Sequence, residues 1–119
     1  MTDNRKKGNM GEDAAAAYLT RKGYEILDRN YRIRDAEIDI IAKKDGVIVF
    51  VEVKLRKNSS LGSPAEAVNA AKQRKIISAA EGFIAKNNIT DTDFRFDVIE
   101  VYSKINGLSI NHMENAFWL

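Results

Sequence analysis

The chain contains no cysteine. That excludes a disulfide framework, a zinc–thiolate site and a cysteine nucleophile. Its single histidine, His112, argues against a histidine-based triad or zinc site and is expected to be structural or exposed. No apolar run approaches the roughly 20 residues of a membrane span, so no membrane partner is expected. The opening residues, with Asp3, Arg5, Lys6 and Lys7, lead into no apolar signal core, which points to a cytoplasmic protein. There is no internal repeat and no low-complexity tract. What is present, 119 residues of which 45% are hydrophobic and 30% charged, suits one soluble domain spanning 1–119, with enough length for a core.

The net charge of +2 conceals a segregation. Residues 1–34 carry eight Lys/Arg against five Asp/Glu, and residues 35–53 carry two against five. Residues 54–75 then carry six against one, and residues 76–119 three against six. An acidic segment bracketed by basic ones suits a metal site that receives a polyanion. Segregation of this kind in a small protein also occurs without functional meaning.

The densest pattern runs from Glu37 to Lys54. Two stretches rich in β-branched residues flank Asp45-Gly46, a hairpin signal because a tight primed turn needs positive φ. Strands are expected over 36–44 and 47–56. With a two-residue loop, Lys44 faces Val47, Asp39 faces Glu52 and Glu37 faces Lys54. Period two then places all four charged side chains on one face. Directly opposed residues have Cβ atoms about 4.5–5.5 Å apart, so Asp39 against Glu52 is a repulsion that needs a cation. The face reads either as a metal site or as a solvated polar face with Lys54 paired to Glu37.

Around this hairpin the chain is ordered α-β-β-β-α-β-β. Residues 8–22 have helical spacing, with Met10, Ala14, Ala17 and Tyr18 on one stripe and Leu19 beside it. Gly23 is placed to end the helix in the left-handed region. Glu12 borders a face that can pack, and equally suits a first-turn role against the helix dipole. Residues 24–33 form a first strand, where Arg29, Arg32 and Arg34 interleave with Tyr31; they suit either a phosphate-clamping surface or a solvated edge. Val47, Val49, Val51, Val53 and Leu55 on one side, with Ile48 and Phe50 on the other, mark 47–56 as a central strand. Residues 57–62 are a loop suited to order around a ligand. Ser63, Pro64 and Glu66 compose a capping box, and the helix it opens runs to about Asn87, with a break near Asn69 to Ala71. Its cluster Lys72, Gln73, Arg74 and Lys75 is either a solvated face or a polyanion contact. Strands over 94–103 and 108–113, with a turn at Ile105-Asn106-Gly107, complete a mixed β-sheet flanked by helices.

Asp39 and Glu52, with Glu12 or Glu37, offer hard oxygen ligands and no nitrogen or sulfur competitor. Such a set selects Mg²⁺ or Mn²⁺. Lys54, on the same face, is placed to position or activate a water and to offset charge. Carboxylates, a divalent metal and a lysine acting on a polyanion compose a phosphodiester-hydrolysing site.

An acidic residue on one strand followed by Glu-x-Lys on the next, Asp39 with Glu52-Val53-Lys54, resembles the PD-(D/E)xK nuclease superfamily of restriction-endonuclease-like fold. Further motifs are Gly8-x-x-Gly11-Glu12, Gly23-Tyr24, Asn30-Tyr31-Arg32, Glu37-Ile38-Asp39, Pro64-Ala65-Glu66-Ala67-Val68, Lys72-Gln73-Arg74-Lys75, Arg95-Phe96-Asp97-Val98 and Asn115-Ala116-Phe117. Over nearly the whole chain these resemble uncharacterised protein family 0102, the YraN-like bacterial proteins, which are similar in turn to archaeal Holliday-junction resolvases. The resemblance implies Glu12, Asp39, Glu52 and Lys54 as the catalytic set, with Asp39, Glu52 and Glu12 around a Mg²⁺ (or Mn²⁺). It also implies that Gln73 and Lys75 approach from the second helix. Arg32, Lys57, Lys72, Gln73, Arg74 and Lys75 are the expected nucleic-acid contacts, and Glu37 lies beside the site. The expected function is a Mg²⁺-dependent endonuclease acting on DNA, including branched or damaged DNA. The alternative is a non-catalytic nucleic-acid-binding or partner-recruiting module on the same fold. The resolvase comparison implies a homodimer, formed through a strand edge or the Phe117-Trp118 end. The chain departs from the family at Ala36, where the family usually has Gly before Glu-Ile-Asp.

Overall fold

A computed structural model describes residues 2–56 and 68–117, with side chains from residue 10 onward. Helix α1 (Thr2–Arg21) precedes strands β1 (Glu25–Ile33), β2 (Ala36–Lys44) and β3 (Val47–Arg56). Helix α2 (Ala70–Lys86) and strands β4 (Asp93–Lys104) and β5 (Gly107–Phe117) follow. The five strands form one mixed sheet in chain order. Only β3 and β4 run parallel, because α2 lies in the connection between them. The fold is thus α/β with the expected element order.

Local chemistry accounts for the boundaries. Asp45 and Gly46 both have positive φ, at 53° and 79°, the geometry of a two-residue primed turn. The register that follows is the expected one, from Lys44 against Val47 to Ile40 against Val51. Gly23, at φ 94°, ends α1, and Tyr24 N–H closes on the Leu19 carbonyl at 2.9 Å. Among the described residues α2 begins where a break was expected. Asn69 caps it, its side chain accepting from Lys72 N–H at 2.9 Å. The capping box at Ser63, Pro64 and Glu66, the loop 57–62, and the contact residue Lys57 lie outside the described residues, as does Trp118.

The sheet has a core on each face. Under α2, Phe50 stacks on Phe96 at 5.4 Å, and Phe96 on Phe117 at 5.1 Å. Phe117 is therefore core and closes the aromatic stack, so its side chain is not available as one of the two alternative dimer surfaces. Under α1, Ala15 and Leu19 meet Ile40, Val49, Val51 and Ile99. The buried stripe of α1 is thus centred on Ala15 and Leu19, one position round the helix from the expected one, and Met10 is exposed. Strand β3 is buried on both faces from Ile48 to Glu52, as a central strand should be.

One irregularity positions the site. Arg29 pairs with Ile40, and Tyr31 pairs with Ile38. In a regular strand, residues two apart share a face. Here Arg29 reaches Asp13 on α1 at 2.7 Å, whereas Tyr31 packs edge-on against Phe83 of α2. Ile40 likewise belongs to the α1 core and Ile38 to the α2 core. Both strands exchange faces between these pairs, at Asn30, whose φ is 55°, and at Asp39 beside it. Asparagine tolerates this left-handed conformation better than other residues with a Cβ. Tyr31 is consequently partly buried, which takes its ring out of the phosphate-clamping surface, one of the two readings of this strand; β1 is a sheet edge with Arg34 exposed.

Candidate functional site

The β2–β3 ladder stops at Ile40 against Val51. Just beyond, the Asp39 side chain takes over: Val53 N–H donates to Asp39 Oδ2 at 2.8 Å. The face exchange at Asn30 and Asp39 opens the ladder there, and the carboxylate satisfies a backbone donor of β3. Asp39 is thereby held against Glu52. Burial first, and then the neighbouring Glu52 charge, push the Asp39 carboxyl up to about 8.

Glu52 is 4% exposed and meets two ammonium groups at one oxygen. Lys72 Nζ of α2 lies 2.9 Å from Oε2, and Lys54 Nζ of β3 lies 3.5 Å from it. Burial would lower the Lys72 ammonium, but the hydrogen bond and charge attraction to Glu52 outweigh it and hold the group above its ordinary value. Glu37 is not the partner of Lys54. It pairs with Arg32 at 3.0 Å on the neighbouring strand. The expected pairing fails because the ladder that would oppose Glu37 and Lys54 has ended three residues earlier.

Asp39, Glu52, Glu37, Lys72 and Lys75 line one cleft of about 210 Å³, with Ala36 in its wall. Ala36 has no positive φ, so the residue in place of glycine carries no backbone strain and only adds a methyl group to the cleft. Gln73 turns away, donating to the Val68 carbonyl at 2.9 Å. Its amide holds the chain entering α2. Arg74 is exposed and is not among the residues lining the cleft.

Glu12 approaches from α1. Burial raises its carboxyl above the ordinary value, against the opposing pull of Asn30 and Arg29. Its Oε1 is buried without a hydrogen-bond partner among the described residues, as is Arg29 Nε, although Arg29 Nη2 lies 3.8 Å from that oxygen. Among the described residues no three His, Cys, Asp or Glu side chains gather closely enough to hold an ion. The described assembly is therefore an Asp39–Glu52 pair, with Glu12 near enough for its charge to act on Asp39. That donor set still fits a hard divalent cation. Two apposed carboxylates need positive charge, no nitrogen or sulfur competes, and magnesium takes only one or two protein carboxylates. The motif Asn30-Tyr31-Arg32 was legible in the sequence but the backbone role of Asn30 was not; its signal was an asparagine inside a strand, where the residue is depleted.

Across the sheet from this cleft lies a second polar cluster. Asp97, fully buried, accepts two hydrogen bonds from Arg95 at 2.9 Å and one from Asn115 N–H at 3.1 Å. His112 Nε2 is 2.7 Å away, and its Nδ1 is 3.0 Å from the Tyr18 hydroxyl. A carboxylate only accepts, so Nε2 donates to Asp97. The cluster ties α1, β4 and β5 together where the β4–β5 register shifts. His112 is thus structural.

No helix among the described residues is long and apolar enough to cross a membrane. Residues 11–101 match the profile of a family described as uncharacterised protein family UPF0102. A UPF0102 protein of Clostridioides difficile is 50% identical over 115 residues, covering 97% of this chain and 99% of its own. One of Desulforapulum autotrophicum is 48% identical over 117 residues, covering 97% of each chain. One of Alkaliphilus oremlandii is 51% identical over 116 residues, covering 96% and 99%.

Proposed function

The chain belongs to uncharacterised protein family UPF0102, and from the chemistry of its cleft we propose that it is a divalent-metal-dependent endonuclease acting on DNA. The observation that carries this reading is the apposition of Asp39 and Glu52, with Lys54 and Lys72 on the same Glu52 oxygen. The PD-(D/E)xK pattern of Asp39 with Glu52-Val53-Lys54 agrees with it.

Asp39 and Glu52 would hold the cation, Mg²⁺ or Mn²⁺, and Glu12 is the further donor within the same region. When bound, that ion supplies polarisation of a phosphoryl oxygen and a more acidic water. The protein's own residues do the rest. Asp39 is oriented by the Val53 N–H. Lys54 stands where it can orient the attacking water and stabilise charge on the phosphoryl oxygens. Lys72, at the cleft beside Glu52, would pair with the DNA backbone where Glu52 serves a cation. Lys75 at the cleft wall and Arg74 beside it extend the positive surface. A homodimer accompanies this reading, since a branched substrate presents two strands.

The reading is tested by incubating the protein with Mg²⁺ or Mn²⁺ and duplex, single-stranded, flap and four-way DNA. Cleavage of at least one substrate is expected. Asp39→Ala, Glu52→Ala and Lys54→Ala should each lower the rate by roughly 100-fold or more. A second reading, a binding module without catalysis, is favoured by Lys54 and Lys72 already neutralising Glu52. It predicts binding without cleavage, unaffected by Glu52→Ala and lost on replacing Arg74 and Lys75.

A further inference from the structure

One buried carboxylate has no part in that site. Glu100 lies on β4 and is 2% exposed. The parallel register places Glu52 beside Val98 and Lys54 beside Glu100, so Glu100 shares the sheet face of Glu52 and Lys54. Its Oε1 accepts from the Tyr102 hydroxyl at 2.9 Å and from Asn111 Nδ2 at 3.1 Å. Its Oε2 accepts from Arg56 Nε at 3.3 Å.

Stability does not account for this arrangement. An ion pair withdrawn from water contributes little or nothing beyond an apolar pair of similar volume. The preceding residue of that face, Val98, is a buried apolar side chain. What the arrangement does achieve is orientation. Fixing Nε of a planar guanidinium fixes its plane. The Arg56 side chain is 28% exposed, and its two Nη groups donate no hydrogen bond to any described residue. That leaves the fork suited to bidentate recognition of a phosphate.

Glu52, Lys54 and Arg56 occupy alternate positions of β3. A strand rise of about 3.3 Å per residue sets Arg56 roughly 13 Å from Glu52 along the strand. We propose that Arg56, with its guanidinium plane set by buried Glu100, is a phosphate subsite for a DNA strand whose reacting phosphodiester lies at Asp39 and Glu52. This rests on the nuclease reading of that pair.

The test is fluorescence anisotropy of a labelled duplex DNA in EDTA, where no cleavage interferes, across a series of KCl concentrations. Arg56→Gln should bind roughly tenfold more weakly, and its plot of log affinity against log salt should be shallower by about 0.9, one phosphate contact. Arg56→Lys and Glu100→Gln should bind several-fold more weakly with the wild-type slope, because charge remains without a fixed fork. Arg56→Lys also keeps a cation against Glu100 if the glutamine variant unfolds. Wild-type affinity and slope in both Arg56 variants would overturn the subsite and leave the nuclease reading intact. Slopes that depend on Arg56 in a protein that cleaves nothing would uphold the phosphate contact and sink the nuclease reading. No DNA binding by the wild type would overturn the subsite, while cleavage with Mg²⁺ or Mn²⁺ tests the nuclease reading separately.

Discussion

Asp39 and Asp97 are half-buried and buried carboxylates whose surroundings drive them in opposite directions. At Asp39, burial and the Glu52 charge raise the carboxyl. At Asp97, burial alone would raise it, but His112, Arg95 and the Asn115 N–H outweigh that and hold it below its ordinary value. Cations and donors therefore stabilise the charged form of Asp97 in the fold. A depressed folded-state value contributes stability that is complete above the unfolded value of about 3.9 and is lost as pH falls through the folded value. Asp97→Asn should destabilise the protein at pH 7 by about 3 kcal/mol, since it leaves Arg95 without its anion. Urea unfolding should show that gap narrowing below about pH 4, as the wild-type carboxylate takes up its proton. A gap independent of pH would mean that the hydrogen bonds, and not the charge, hold the cluster.

At the scale of elements, the decisive feature is the face exchange shared by β1 and β2. It sends Tyr31 and Ile38 under α2 while Arg29 and Ile40 stay under α1. It also ends the ladder to β3 where Asp39 replaces a backbone partner. Asn30 makes this affordable, because its left-handed φ costs most other residues about 1–2 kcal/mol. Asn30→Gly should fold with nearly unchanged stability, whereas Asn30→Val should lose about 2 kcal/mol in urea unfolding. The valine variant should also bind Mn²⁺ more weakly, since a straightened strand moves Asp39 away from Glu52. Full Mn²⁺ binding in a destabilised valine variant would separate the face exchange from the site.

Over the whole molecule, α2 lays the basic segment against the acidic one. Lys72 and Lys75 thereby meet Asp39, Glu52 and Glu37 across the cleft. Lys72 holds the Glu52 oxygen that a cation would need, so a cation there would compete with the lysine for it. Lys72→Met should tighten Mn²⁺ binding by roughly tenfold, about 1.4 kcal/mol, in a calorimetric titration, and should weaken DNA binding. An unchanged Mn²⁺ affinity would mean that the ion binds away from Glu52.

Much of this fold was readable along the chain, and the readable part is local. Alternation and Asp45-Gly46 specify the hairpin and its register near the turn, because a primed turn and its adjacent pairs involve residues close in sequence. The continuous apolar run of β3 specifies a central strand, and Gly23 the end of α1. The same extrapolation along the strand went wrong at Glu37 and Lys54. It assumed a regular ladder, and the ladder is interrupted by Asn30 on a third strand. Which lysine reaches Glu52, how Glu12 is held by Arg29, and why Glu100 fixes Arg56 depend on side chains brought together from distant segments. Composition and period carry no record of those distances. The sequence by itself determined the elements and the carboxylate pair; only the packing of α2, β1 and β4 against β3 decided which cations and donors surround it.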